Sequence, residues 1–146
     1  MKTLKNLLQS QGYIKHQIRL SKKTGHIVTK AVINGHMGRF IIDTGASANC
    51  INQELYKEFQ LETEFMERQI STASGNLRPR LSKSNTLELG EWSDEDVSFL
   101  SMDMTHINLA LKSEKMKSIQ GLLGAEFLIA SKAVIDYRSS SIFLKQ

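Results

Sequence analysis

The chain has 146 residues, 40% of them hydrophobic, and a formal net charge of +4; this suits one domain around one core, and no second domain is expected. No run of about 18 or more apolar residues occurs, so no membrane-spanning helix is expected, and the single cysteine, Cys50, excludes an internal disulfide and fits a reducing cytoplasm. Lysines and arginines are scattered, with the densest group, Lys112 to Lys117, interrupted by Glu114, so the positive surplus reads as solvated surface and no nucleic-acid partner is expected.

The first ten residues lack an apolar h-region and a small-residue cleavage site, so no signal peptide is expected. Leu4, Leu7 and Leu8 recur at helical spacing up to Gly12, which predicts a short amphipathic helix packed on the domain or on a partner subunit. From Tyr13 the pattern alternates as in a strand through Ile14, Gln17, Ile18 and Leu20, with a turn at Lys23-Thr24-Gly25. His26 to Ile33 is the next strand, and Asn34-Gly35 predicts a type I′ hairpin turn, because both residues tolerate positive φ.

The returning strand carries Phe40-Ile41-Ile42 directly into Asp43-Thr44-Gly45-Ala46-Ser47. An apolar strand thus delivers a carboxylate to a loop, where partial loss of water is costly unless the acid is paired or protonated. The structural alternative is that Asp43 caps a tight turn in which Gly45 takes positive φ. Ile51-Asn52, Leu55, Tyr56 and Phe59 then predict a short helix with Asn52 as N-cap.

Phe65 to Leu81 predicts a hairpin whose tip, Ala73-Ser74-Gly75-Asn76, holds small and polar residues. Thr86 to Gly90 and Val97 to Leu100 form two strands around a turn at Trp92-Ser93-Asp94, with Trp92 as a packing residue at the edge of the core. Asp103 caps a helix bearing Ile107 and Leu111 on one face. In Gly121-Leu122-Leu123-Gly124, two glycines let a buried strand approach another backbone closely. A helix over Ala125 to Ala130 and a hairpin of Ala133 to Tyr137 with Ser141 to Leu144 complete the chain. His16, His26, His36 and His106 have no second ligand at metal spacing, so no metal site is expected.

Taken together, the apolar strand ending in Asp43-Thr44-Gly45-Ala46 and the later Gly121-Leu122-Leu123-Gly124-Ala125-Glu126-Phe127-Leu128 resemble the retropepsin-like aspartic proteases, over roughly Gly25 to Leu144. The resemblance implies a mainly β fold, a closed barrel-like acid-protease domain over 1–146 with a flap hairpin and short helices. It implies an aspartic endopeptidase acting on polypeptides, with Asp43, Thr44 and Gly45 as catalytic residues and Ala46, Ala73, Ser74 and Gly75 at the substrate. An ordinary exposed hairpin remains the alternative to the flap. Many family members have Asp where this chain has Glu126, a position read as structural.

Such enzymes need two carboxylates sharing a proton, and one Asp-Thr-Gly is present. The resemblance therefore implies a homodimer with Asp43 of each subunit on the two-fold axis. Activity is expected at acidic to neutral pH and to fall when both acids ionise. No cofactor is expected. The alternative function is a catalytically silent dimer of the same fold that binds a peptide or protein.

Overall fold

The computed structural model describes residues 3–65, 70–72, 75–77 and 79–146. It opens with α1 (Leu4–Ser10), where Thr3 Oγ1 accepts a hydrogen bond from the Asn6 amide at 3.1 Å. Of the predicted apolar face only Leu8 is buried, while Leu4 and Leu7 are 48% and 43% exposed. The helix therefore rests on the body through one side chain.

β1 (Tyr13–Gln17), β2 (Arg19–Leu20), β3 (Ile27–Ile33) and β4 (His36–Ile42) follow. Gly25 closes the first predicted reversal with φ +76°, and Asn34 and Gly35 turn β3 into β4 with φ of 50° and 84°, the two left-handed residues that a type I′ turn requires. Alternation then sorts the side chains. Ile27, Ala31, Ile33, Phe40 and Ile42 enter one core, and Val28 and Ile41 enter a second, the period-two pattern of strands covered on both faces.

β5 (Cys50–Asn52) comes after the loop that follows β4, and Asn52 Oδ1 accepts from the Glu54 amide as the predicted N-cap. It caps only a single 3-10 turn, Gln53–Leu55, and not the longer helix expected. The chain must swing back quickly to bury Phe59 and Leu61, and Gln60 at φ 53° makes the reversal.

The predicted hairpin from Phe65 to Leu81 has two parts. At its base β6 (Glu64–Phe65) pairs with the start of β9 (Arg80–Leu89). Farther out β7 (Ile70–Thr72) pairs antiparallel with β8 (Gly75–Leu77), with Thr72 opposite Gly75. Ala73 and Ser74, predicted at its tip, lie outside the described residues.

β10 (Trp92–Met102) returns along β9. The turn between them falls at Gly90-Glu91 and not at Trp92-Ser93-Asp94, because Gly90 adopts φ +58° and Trp92 already pairs with Leu89. The indole is buried, as expected of a packing residue; its Nε1 donates to the Lys145 carbonyl at 3.0 Å and its ring meets Phe127 edge-on at 5.3 Å. Both strands run longer than the sequence suggests. Ser82 and Asn85 look like surface residues yet are buried, and Asn85 Nδ2 donates to Ser82 Oγ and the Val97 carbonyl while its Oδ1 accepts from Asn34 Nδ2.

α2 (Thr105–Ser113) begins where Asp103 Oδ1 accepts from the amide and hydroxyl of Thr105, bonds that hold the Asp103 carboxyl below the usual range. Its Leu111 joins Met104 and Ile119 in the second core. β11 (Gly121–Leu123), α3 (Ala125–Ala130), β12 (Val134–Asp136) and β13 (Ser141–Lys145) follow, close to the predicted bounds.

The strands β3-β4-β11-β5-β10-β9 form a ring, because β9 returns to pair with β3 through Val32 with Glu88 and Ile33 with Leu87. The result is a closed six-stranded barrel, extended by β2 and β6. A second sheet, β1-β13-β12, joins the N-terminal strand to the predicted C-terminal hairpin. No described helix is long and apolar enough to cross a membrane.

β11 is the tightest element. A Cβ on Gly121 would strike the Cys50 carbonyl oxygen and come within 2.8 Å of the Phe40 ring. Gly121→Ala is therefore expected to lower stability in urea unfolding by about 3 kcal/mol, the upper end of overpacking penalties. Gly25→Ala, which meets nothing within 4 Å, should cost only the left-handed backbone term of about 1–2 kcal/mol.

Candidate active site

β11 lies between β4 and β5, parallel to the first and antiparallel to the second. The loop from Asp43 to Asn49 therefore arches over the end of β11. Backbone bonds fasten it there: the Asp43 amide donates to the Leu123 carbonyl at 2.9 Å, and the amides of Ala125 and Glu126 donate to the carbonyls of Ala46 and Ser47 at 2.7 and 3.2 Å. The first amides of a helix have no partner within it. Here the loop supplies the acceptors.

Gly124 makes this approach feasible, since a Cβ would lie 2.5 Å from the Ala48 carbonyl oxygen and 2.6 Å from that of Ala46. Asn49, almost fully buried, adds the side-chain clamp. Its Oδ1 accepts from the Gly124 amide at 3.0 Å and its Nδ2 donates to the Ser98 carbonyl at 3.3 Å, so one residue joins the loop to β11 and β10. Sequence reasoning assigned no role to Asn49; its one signal is a polar residue set just before the strand Cys50-Ile51.

Asp43 is half-buried at the head of this loop, and its Oδ1 accepts from the Gly45 amide at 2.8 Å. Its Oδ2 has no hydrogen-bond partner among the described residues. The tight-turn reading is thus correct for Oδ1, but Gly45 does not take positive φ. What favours glycine at 45 is space, because a Cβ would sit 3.2 Å from Asp43 Oδ1. Thr44 is exposed beside it and Ala46 is partly covered, so Asp43, Thr44, Gly45 and Ala46 share one rigid loop. Gly75 lies in the separate β7-β8 hairpin.

Cys50 lies behind the loop. Burial, then the charges of Asp43 and Glu126, push its thiol up to about 11. Among the described residues no group of three or more His, Cys, Asp or Glu is placed to hold a metal ion.

A barrel with one strand threaded between two others and a half-buried acid on the arch above it is the arrangement the aspartic-protease reading called for. The family model described as aspartyl protease matches residues 29–127, well over half of the chain, and the chain belongs to that family. It is similar in structure to a retropepsin-like aspartic protease from Rickettsia conorii, with 16% identity, a TM-score of 0.57, and 91% of this chain and 89% of that one covered. It is likewise similar to EIAV protease complexed with the inhibitor HBY-793, with 15% identity, a TM-score of 0.56, and 80% of this chain and 97% of that one covered. The fold is retropepsin-like, as expected. No curated protein matches the sequence.

Two outcomes follow from this geometry. Asn49→Ala leaves the buried Gly124 amide and Ser98 carbonyl without their partner, and should cost about 1–3 kcal/mol for each unmet group, with faster hydrogen exchange at Gly124 as the local readout. Cys50 near pH 8 should carry roughly a hundredth of the thiolate of an ordinary cysteine. Iodoacetamide labelling of the folded protein, followed by mass spectrometry, should be slower in that proportion, and Asp43→Asn should recover part of the rate.

Proposed function

We propose that the protein is an aspartic endopeptidase that works as a homodimer, with Asp43 of each subunit facing the other across a two-fold axis. The observation that carries this reading is the half-buried Asp43, held on a tied-down arch with one carboxylate oxygen engaged and the other without a partner among the described residues. One such acid is half of a catalytic pair. Like charges about 3 Å apart cannot both ionise, so in the dimer one carboxyl is protonated and its partner is not.

The ionised Asp43 takes a proton from a water between the two side chains, and the hydroxide so formed attacks the scissile carbonyl carbon. The protonated Asp43 gives its proton to the carbonyl oxygen. As the tetrahedral intermediate collapses, a proton passes to the amine and the peptide C–N bond breaks, so the acid and base exchange roles. Thr44, exposed next to the acid, bonds across the axis in this reading and holds the two carboxyls coplanar. Gly45 keeps the backbone close to Asp43, and Ala46 offers a small contact to substrate. The β7-β8 hairpin is the flap, with Ala73, Ser74 and Gly75 over bound peptide. The scheme requires no metal or organic cofactor, and the domain that performs it is residues 1–146.

Asp43→Asn tests the reading directly. It should lower cleavage of a mixed peptide library by about 10³-fold or more while sedimentation still shows a dimer, since the amide has the shape of the acid it replaces. Equal cleavage by the variant, or cleavage by a protein that stays monomeric at every concentration, would exclude this mechanism. A dimer that binds peptides in both forms and cleaves with neither would identify a silent binding module.

A further inference from the structure

Away from Asp43, the outer face of β2, β3 and β4 forms a groove of about 820 Å³. Its rim carries Arg19, Lys22, Lys30, Arg39 and Lys117, and among the described residues no carboxylate lines it. None of the five makes an ion pair with a described residue. Five positive charges gathered in one place exceed the net +4 of the whole chain, so the rest of the molecule is close to neutral and the field of the groove is local and attractive to anions.

Two features are costly unless an anion is bound. Lys30 and Arg39 are direct cross-strand partners, and like charges so placed repel. Arg39 Nε is buried with no hydrogen-bond partner among the described residues, a donor that lacks its acceptor. A carboxylate lying between these two side chains would offset the repulsion, and with a turn of the Arg39 side chain toward the groove would also accept from its guanidinium.

The rest of the lining selects among anions. Ile18, Leu20 and Val28 contribute an apolar floor, and no Phe, Tyr or Trp among the described residues lines the groove. Single-stranded nucleic acid is held by stacking on aromatic rings, which this groove does not offer. Its volume is that of a site for several residues of extended chain and not for one small ion. Arg39 lies at the middle of β4, and Asp43 directly follows its last residue, Ile42, four residues or about 13 Å farther on at the rise of a strand.

We propose that this groove is a docking site for an acidic, partly apolar segment of a polypeptide, with carboxylates on the Lys30–Arg39 pair. It rests on the peptidase reading only in that the docked polypeptide is taken to be a substrate. The site then selects substrates by an acidic stretch outside the bond that is cut.

The test is fluorescence anisotropy of a labelled ten-residue peptide of alternating Glu and Leu, titrated with the full chain. Binding should weaken steeply between 0.05 and 0.5 M salt (experimental settings, about one decade). It should weaken about tenfold or more in Lys30→Glu/Arg39→Glu, and also in Lys22→Glu/Lys117→Glu, whose changes lie at exposed rim positions. Circular dichroism identifies a variant that has failed to fold, in which case the other decides. No binding of the acidic peptide at low salt, or equal binding by a folded variant, overturns the proposal. Tighter binding of oligo-dT of equal charge overturns it in favour of nucleic acid. Cleavage is followed separately on the mixed peptide library: docking of the acidic peptide by a wild-type protein that cleaves no member of the library would refute the peptidase reading and leave the groove assignment standing.

Discussion

The structure depends on a close approach of backbones at β11. Gly121 lets the strand slide against the carbonyl of Cys50, and Gly124 lets the chain pass beneath the carbonyls of Ala46 and Ala48. Because no side chain intervenes, the amides that begin α3 reach the loop carbonyls directly. The arch bearing Asp43 is thereby tied to a core strand, a helix and, through Asn49, to β10. A catalytic carboxylate has to be held to within a fraction of an ångström, and a loop fixed by three elements can do this where a free turn cannot.

Closure of the barrel depends on a different chemistry. Where β3 meets β9, Asn34 accepts from the Thr86 amide and donates to Asn85 and to the Phe59 carbonyl. Asn85 continues the network to Ser82 and Val97. A buried polar network is favourable only when its members are satisfied, and this one is satisfied in one register. It therefore fixes how β9 and β10 lie, which an apolar interior alone specifies less sharply.

Charge is divided between two regions. Asp43 and Glu126 lie near one end of β11, where they reinforce burial in keeping the Cys50 thiol protonated. The cations of the outer groove lie on β2 to β4 and the segment after α2. An acidic polypeptide is drawn to the second region, and Asp43 Oδ2 in the first, without a partner among the described residues, remains open to the chemistry proposed for it. The exposed Lys83–Glu64 pair at 3.8 Å adds little to stability, as is usual for solvated ion pairs.

Local patterns were sufficient wherever one short segment decides its own conformation. The Asn34-Gly35 turn, the Asn52 cap, the helix Ala125–Ala130 and the strand feeding Asp43 could all be read from neighbouring residues, because propensity, positive φ and capping act over a few positions. The retropepsin-like barrel was legible from two motifs in the right order. Other features required the assembled fold: Ser82 and Asn85 are polar and became core only by bonding one another, the helix after Asn52 shrank because Phe59 and Leu61 had to turn inward, and Leu4 and Leu7 were left outside. The basic groove is the clearest case, since its residues run from Arg19 to Lys117 and look scattered along the chain. Strand pairing brings distant residues into contact irrespective of their separation in sequence, so the amino acids determined which acid stands at the end of β4, and only the tertiary structure decided what surrounds it.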